Sequence, residues 1–216
     1  QEGVIFMNFE YTVSSEVRNY ITNKTILITG AGGSIGSKIS KVLAKENCSR
    51  LILVDQGESS LYNLEQELIL DGFENYKILV SDICNKNRME TIFKNYQPEI
   101  IFHVAAYKHV PMMEHNAYEA LRVNVLGTKI VADLSNKYFA TKFILVSTDK
   151  AVNPTSVMGV TKRLAELYVG SLNSEDRKKY IVVRFGNIPY TIGSVIPLFK
   201  KQIRSGKFLT ITDKKI

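Results

Sequence analysis

From Lys24 onward, short apolar runs alternate with longer amphipathic stretches, and this rhythm constrains the fold of the 216-residue chain more than any other feature. The runs are Thr25–Thr29, Leu51–Val54, Lys77–Val80, Ile100–Val104, Phe143–Ser147 and Tyr180–Val183. Each is rich in β-branched residues and short enough to be a strand buried on both faces. Between them, Ile35–Leu43, Leu61–Leu70, Tyr118–Leu134 and Met158–Leu172 carry apolar residues at helical spacing. Strands alternating with helices imply right-handed crossovers and an α/β fold, a Rossmann-like, doubly wound parallel sheet. Residues 1–23, of mixed polarity, read as an N-terminal extension or docking arm, 24–186 as the principal domain, and 187–216 as the start of a C-terminal substrate lobe. In that last part Asn187-Ile188-Pro189-Tyr190 reads as a loop and Ile196–Ile203 as a helix, followed by an apolar run over Phe208–Ile211. With about thirty residues to cover the strand ends, that lobe reads as incomplete.

Composition narrows the classes. With 45% hydrophobic and 23% charged residues, the chain is neither disordered nor fibrous. Cys48 and Cys84 are too few for a disulfide framework and lack metal-ligand spacing, which predicts two ordinary thiols, no metal site and a reducing, cytoplasmic compartment. No apolar run reaches membrane-spanning length, and the opening Gln-Glu-Gly-Val does not resemble a signal peptide. The absence of an initiator Met suggests a processed or excised chain. The net charge of +7 sits in small clusters such as Arg177-Lys178-Lys179, Lys200-Lys201 and Lys214-Lys215. Without a long basic run or interleaved aromatics, this argues against a nucleic-acid partner and suits solvated helix faces or a phosphorylated small molecule.

The residues with chemistry cluster at strand ends. The first strand runs into Thr29-Gly30-Ala31-Gly32-Gly33-Ser34-Ile35-Gly36, which opens a helix. Glycines at 30, 33 and 36 permit a tight turn, approach to a pyrophosphate and close helix–strand packing, and the N–H groups at Ser34 and Ile35 face the phosphates. Asp55 ends the second strand nineteen residues beyond Gly36; its carboxylate suits both ribose hydroxyls of NAD and repels the 2′-phosphate of NADP. Asp82 and Ile83 follow the third strand, where the adenine edge should lie. The fourth ends in Ala105-Ala106-Tyr107-Lys108-His109, small residues beside the cofactor followed by two groups in the loop facing the cleft. The fifth ends in Ser147-Thr148-Asp149-Lys150, an acid beside a base, as an elimination requires, although adjacent Asp-Lys is also a common surface pair. Met158 and Lys162, four residues apart on the next helix, share a face. Lys162 could hold a ribose and lower the pKa of nearby hydroxyls, whereas Met158 on chemistry alone is a core residue.

Together these residues resemble the extended short-chain dehydrogenase/reductases, and more closely the nucleotide-sugar 4,6-dehydratases of bacterial polysaccharide and protein-glycan synthesis. The resemblance rests on Ala105–Glu114, Asn124–Thr128, Ser147–Lys162 and Val183–Asn187, and spans Lys24 to Phe208. Met158 stands where most of that family has a tyrosine, a replacement shared by the large, membrane-anchored branch. The resemblance therefore implies a membrane-anchored parent protein and a homo-oligomer. It implies dehydration of UDP-N-acetylglucosamine: hydride leaves C4 for NAD, Lys150 removes the C5 proton, Asp149 protonates the departing C6 hydroxyl, and hydride returns to C6. Thr148 would bond the C4 oxygen, with Asp149 or a water covering for the absent tyrosine, Asn124 would join the cofactor site, and Lys108, His109 and Asn187 would seat the substrate. After Asn187 the sequence departs from the family's Val-Leu-Gly-Ser-x-Gly-Ser-Val, and the relatives continue beyond residue 216. The alternatives are a nucleotide-sugar 4-epimerase, disfavoured by Asp149-Lys150, and a non-catalytic NAD-sensing module, disfavoured by Lys162 and the Thr148-Asp149-Lys150 cluster.

Overall fold

The computed structural model describes residues 13–174, 179–187, 195–206, 208 and 209. In chain order the elements are α1 (Ser15–Ile21), β1 (Thr25–Thr29), α2 (Ser34–Ala44), β2 (Arg50–Asp55), α3 (Glu58–Leu70), β3 (Tyr76–Val80), α4 (Lys86–Tyr96) and β4 (Ile100–His103). There follow α5 (Val110–Glu114), α6 (Ala117–Leu121), a π-helical segment (Arg122–Gly127), α7 (Thr128–Lys137), β5 (Lys142–Thr148) and a 3₁₀ turn (Asp149–Ala151). The remainder is α8 (Val157–Ser171), β6 (Tyr180–Phe185) and α9 (Val195–Arg204).

The six strands form one parallel sheet in the order β3-β2-β1-β4-β5-β6. The order reverses between β1 and β4, and a crevice opens there at the carboxyl ends, as doubly wound sheets require. In-register pairing of Thr29 with Val54 and His103, and of Thr148 with Phe185, brings the strand ends to one edge. This confirms the Rossmann-like architecture expected from the alternation.

Strand periodicity explains the two cores. Ile26, Ile28, Leu51, Leu53 and Ile100 face one side and pack on Ile21, Leu43, Leu61, Leu64 and Leu68 of α1, α2 and α3. Leu27, Ile52, Val54, Ile101 and Leu145 face the other and pack on Met89, Phe93, Val131, Leu134, Ala165 and Val169 of α4, α7 and α8. Successive strand residues thus serve opposite cores, and the runs read as uniformly apolar.

Three departures from the periodicity matter. The described part of the N-terminal extension is a helix: Ser14 caps α1, Ile21 is buried in the first core, and Arg18 pairs with Glu46 at 2.7 Å. Residues 1–12 lie outside the described residues, as do Arg177 and Lys178, the 188–190 part of the expected loop, and Lys214-Lys215. Helix α4, absent from the expected helical stretches, is a strongly polar segment with a narrow apolar stripe buried at Met89, Ile92 and Phe93. The single helix expected over Tyr118–Leu134 is instead α6, the π-helical segment and α7. Helix α9 matches the expectation for Ile196–Ile203, whereas Phe208 and Leu209 have no regular structure and Phe208 is 99% exposed.

Candidate active site

The crevice between β1 and β4 is a cleft of about 270 Å³. Gly30 leaves β1 with φ +69°, and a Cβ there would lie 2.6 Å from the backbone nitrogen of Ala105. Gly33 caps α2 without a side-chain acceptor, and a Cβ on Gly36 would lie 2.0 Å from the carbonyl oxygen of Gly30. The turn is therefore compressed against both β4 and its own helix, leaving the first N–H groups of α2, around Ser34 and Ile35, at the cleft wall. Asp55 braces this wall: Gly32 N–H donates to Oδ2 at 3.0 Å and Gly57 N–H to Oδ1 at 2.9 Å. Each carboxylate oxygen keeps acceptor capacity toward the cleft.

Asp82 and Ile83 form the opposite wall. Asp82 accepts from Cys84 N–H and Arg122 Nη1, each at 2.8 Å. Burial pushes its carboxyl up, but these bonds bring it below the ordinary range. Glu119 and Asp82 together hold the Arg122 guanidinium firmly charged. Burial, reinforced by Asp82, pushes the Cys84 thiol up to about 11, burial also raises that of Cys48, and neither is in a disulfide. Ala105, Ala106, Tyr107, Lys108 and His109 complete the cleft, and Tyr107 Oη accepts from Gln56 Nε2 at 3.4 Å across its mouth.

The π-helical segment explains residues that periodicity missed. Its wide turn presents Arg122 to Asp82, Val123 to the cleft and Gly127 to Ile83, where a Cβ would lie 2.6 Å from the Ile83 side chain. Such turns often mark functional sites. Asn124, expected to touch the cofactor, is fully buried behind the cleft instead. Its Oδ1 accepts from Tyr107 N–H at 2.8 Å, and its Nδ2 donates to Tyr107 O at 3.0 Å and Thr161 Oγ1 at 3.1 Å. It therefore fixes the Tyr107 backbone from behind the residues that line the cleft. Gln56, Ser81, Val104 and Val123 also line the cleft without any distinctive sequence signal.

His103, fully buried at the end of β4, ties these walls together. Thr128 Oγ1 donates to Asn124 O at 2.7 Å, so toward His103 Nε2, 3.0 Å away, it must accept. The proton is thus on Nε2, and Nδ1 accepts from the Thr29 hydroxyl at 2.7 Å. Burial, with a smaller effect from the Lys162 charge, lowers the imidazole pKa to about 3, so it stays neutral.

A second group lies at the ends of β5 and β6. Thr148 Oγ1 donates to Asp149 Oδ1 at 2.9 Å, and Lys150 Nζ donates to Asp149 Oδ1 at 3.2 Å and to Asn187 Oδ1 at 3.1 Å. Thr148 first, then Lys150, holds the Asp149 carboxyl below its usual range. The sequence-predicted triad and Asn187 thus meet at one point, partly open to solvent. Gly159, within the Ser147–Lys162 stretch but given no role there, makes this possible: a Cβ there would lie 2.4 Å from Lys150 O.

Lys162 is buried, its Nζ donating to Val146 O at 2.7 Å. Burial lowers its pKa to about 8, partly offset by Glu166. Met158, 2% exposed, packs with Met113 and Ala120 beside Tyr107, Val110 and Val157, and serves as a packing residue with no proton to exchange. Gly30, Gly33, Ser34, Ile35, Asp55, Asp82, Ile83 and the Ala105–His109 loop therefore share the first cleft, Thr148, Asp149, Lys150 and Asn187 form the second group, and Gly36, Asn124, Met158 and Lys162 support the walls.

A doubly wound sheet with this glycine turn and strand-end cluster defines an extended short-chain dehydrogenase/reductase. Within that class the chain belongs to the polysaccharide biosynthesis protein family, whose profile matches residues 26–216. It is 47% identical over 195 residues to the capsular polysaccharide biosynthesis protein CapD of Staphylococcus aureus, covering 89% of this chain and 33% of that protein. A UDP-glucose 4-epimerase of Rickettsia bellii is 35% identical (88% of this chain, 57% of that protein), and a UDP-N-acetylglucosamine 4,6-dehydratase (inverting) of Campylobacter jejuni is 34% identical (89% and 58%). The X-ray structure of Pen from Bacillus thuringiensis superposes with a TM-score of 0.82 at 32% identity, covering 90% of this chain and 61% of that one. The chain spans about a third of the length of its first curated relatives and under two thirds of the others.

Proposed function

We propose that this chain is the nucleotide- and sugar-binding catalytic part of a UDP-N-acetylglucosamine 4,6-dehydratase that uses NAD. The observation carrying this reading is the Lys150 amine between Asp149 and Asn187, beside a cleft shaped for a dinucleotide. The cleft fits the cofactor: Gly33 lines it with bare backbone at the start of α2, where a pyrophosphate would lie, Ala105 and Ala106 leave room beside β4, and Asp55 offers a carboxylate to ribose hydroxyls, favouring NAD over NADP. When bound, NAD supplies a reversible hydride acceptor.

The residues then divide the proton traffic. Oxidation at C4 of the hexose leaves a ketone that acidifies the C5 hydrogen. Lys150 must be neutral to take that proton, and Asp149 must be protonated to release the C6 hydroxyl as water. In the resting ion pair, 3.2 Å across, Asp149 is a carboxylate; it takes the C4 hydroxyl proton as hydride leaves C4, which makes it the acid that C6 requires, and the C5 proton taken by Lys150 returns to C5 when hydride arrives at C6. Asn187 orients the Lys150 amine through its Oδ1. Lys162 presents charge below about pH 8 from beneath β5, and Thr148 bonds the C4 oxygen where a tyrosine would otherwise act. Lys108 and His109, on the cleft rim, meet the diphosphate and sugar.

The test is incubation of the full chain with NAD and UDP-N-acetylglucosamine, followed by mass spectrometry and proton NMR. The expected product is lighter by one water and carries a C6 methyl signal. Lys150→Ala should lower turnover by about 10²- to 10⁴-fold with NAD binding intact; full turnover in that variant would remove Lys150 from the base role. The relatives named as epimerases favour a second reading, 4-epimerisation, which would leave the mass unchanged and invert the C4 signals.

A further inference from the structure

Glu166 lies on α8 behind the ends of β5 and β6, with its side chain only 3% exposed. Its Oε1 accepts from Ser147 Oγ at 2.6 Å and Arg184 Nε at 2.9 Å. Its Oε2 accepts from Arg184 Nη2 at 2.6 Å and Arg163 Nη1 at 3.1 Å. Ser147 and Arg184 are register partners on neighbouring strands. One rung further, Thr148 pairs with Phe185 and the ladder ends. From there Asp149-Lys150 turns one way and Gly186-Asn187 the other, and Lys150 Nζ bridges back to Asn187 Oδ1.

We infer that Glu166 is a positioning residue: by gripping Ser147 and Arg184 it sets the separation of the two strand ends that carry Lys150 and Asn187, and so aims the amine. This rests on the dehydratase reading for its catalytic meaning. A buried carboxylate is retained only where donors surround it, and these charge-assisted bonds are stiffer than neutral ones. Four donors converge on two oxygens. A glutamine would offer one oxygen, and its amide would turn N–H groups toward the Arg184 guanidinium. The grip would loosen while the apolar core beneath stayed filled.

The experiment compares wild type, Glu166→Gln and Arg184→Lys in the full chain. Turnover and KM are measured with UDP-N-acetylglucosamine, NAD affinity by calorimetry, and the accessibility of each lysine by trace acetic anhydride labelling. In Glu166→Gln, kcat should fall by about 10- to 100-fold, with KM and NAD affinity unchanged, and Lys150 should label faster relative to exposed Lys94. Arg184→Lys, which keeps the charge but not the fork, should fall between the two. Unchanged kcat and unchanged Lys150 labelling in folded Glu166→Gln would overturn the inference, as would an equal loss of NAD affinity. If Glu166→Gln does not fold, Arg184→Lys decides by the same readouts. If wild type removes no water from the sugar nucleotide, the dehydratase reading fails, and the labelling still decides whether Glu166 positions Lys150.

Discussion

A methyl group on Gly36 would sit 2.0 Å from the carbonyl oxygen of Gly30 and 2.9 Å from the Cα of Ala31. Both are backbone atoms and cannot rotate away, so α2 would have to lift from the turn. Gly36→Ala should therefore cost about 1–3 kcal/mol of stability and abolish NAD binding, read by thermal melting and a cofactor titration. The glycine spacing announced this site because it needs only local sequence: a strand, a turn and a helix in immediate succession. Asn124 was legible as important through its motif but not in its role, because its partners Tyr107 and Thr161 lie 17 and 37 residues away. Met158 shows the converse. Its helical spacing from Lys162 put both on one face, yet the thioether meets Met113 and Ala120, which come from other helices.

Helix α8 carries Met158, Gly159, Lys162 and Glu166, so one element supplies packing, close approach, a buried cation and the grip on two strand ends. At Gly159 the helix touches the 3₁₀ turn, and Gly159→Ala should push the Lys150 backbone away from a contact of 2.4 Å. The expected outcome is a fall in kcat of about 10²-fold with NAD affinity retained, since neither Gly159 nor Lys150 lines the cleft proposed for NAD; equal losses in both would place the effect in general stability. Strands and long helices were legible because their apolar periods are strong. The π-helical segment was not, since one extra residue in a turn changes hydrogen-bond pairing without changing composition. Helix α1 escaped notice for a related reason: seven residues hold a single buried position, Ile21.

Across the whole molecule, buried titratable groups set the response to acid. His103 has its pKa lowered to about 3 by burial, against 6.5 for the free group. Below pH 6.5 the unfolded chain therefore binds a proton that the folded one refuses. Stability from this group is complete above pH 6.5 and is lost as pH falls toward 3, at about 1.4 kcal/mol per pH unit. Burial pushes Glu166 up, but Arg184, Ser147 and Arg163 overcome this and bring it to about 2, so its contribution, present above 4.5, is lost toward pH 2. Denaturant midpoints from pH 8 to pH 3 should decline from about pH 6.5 and steepen below about 4.5. His103→Gln should flatten the upper part of that decline; an unaltered profile would show that His103 does not govern it.

The sequence by itself determined the sheet, its crossovers and the glycine turn, because each rests on residues adjacent along the chain and on apolar periods of two or 3.6. It also named the groups at the strand ends, since a parallel sheet brings every carboxyl end to one edge. Only the tertiary structure decided how those groups divide: a cleft where the strand order reverses, and a separate Lys150–Asp149–Asn187 contact at β5 and β6. It alone revealed the neutral His103 chain and the Glu166 grip, because their partners are brought together by packing and leave no spacing to read. Burial then decided which of these side chains remain charged, and burial belongs to the assembled fold.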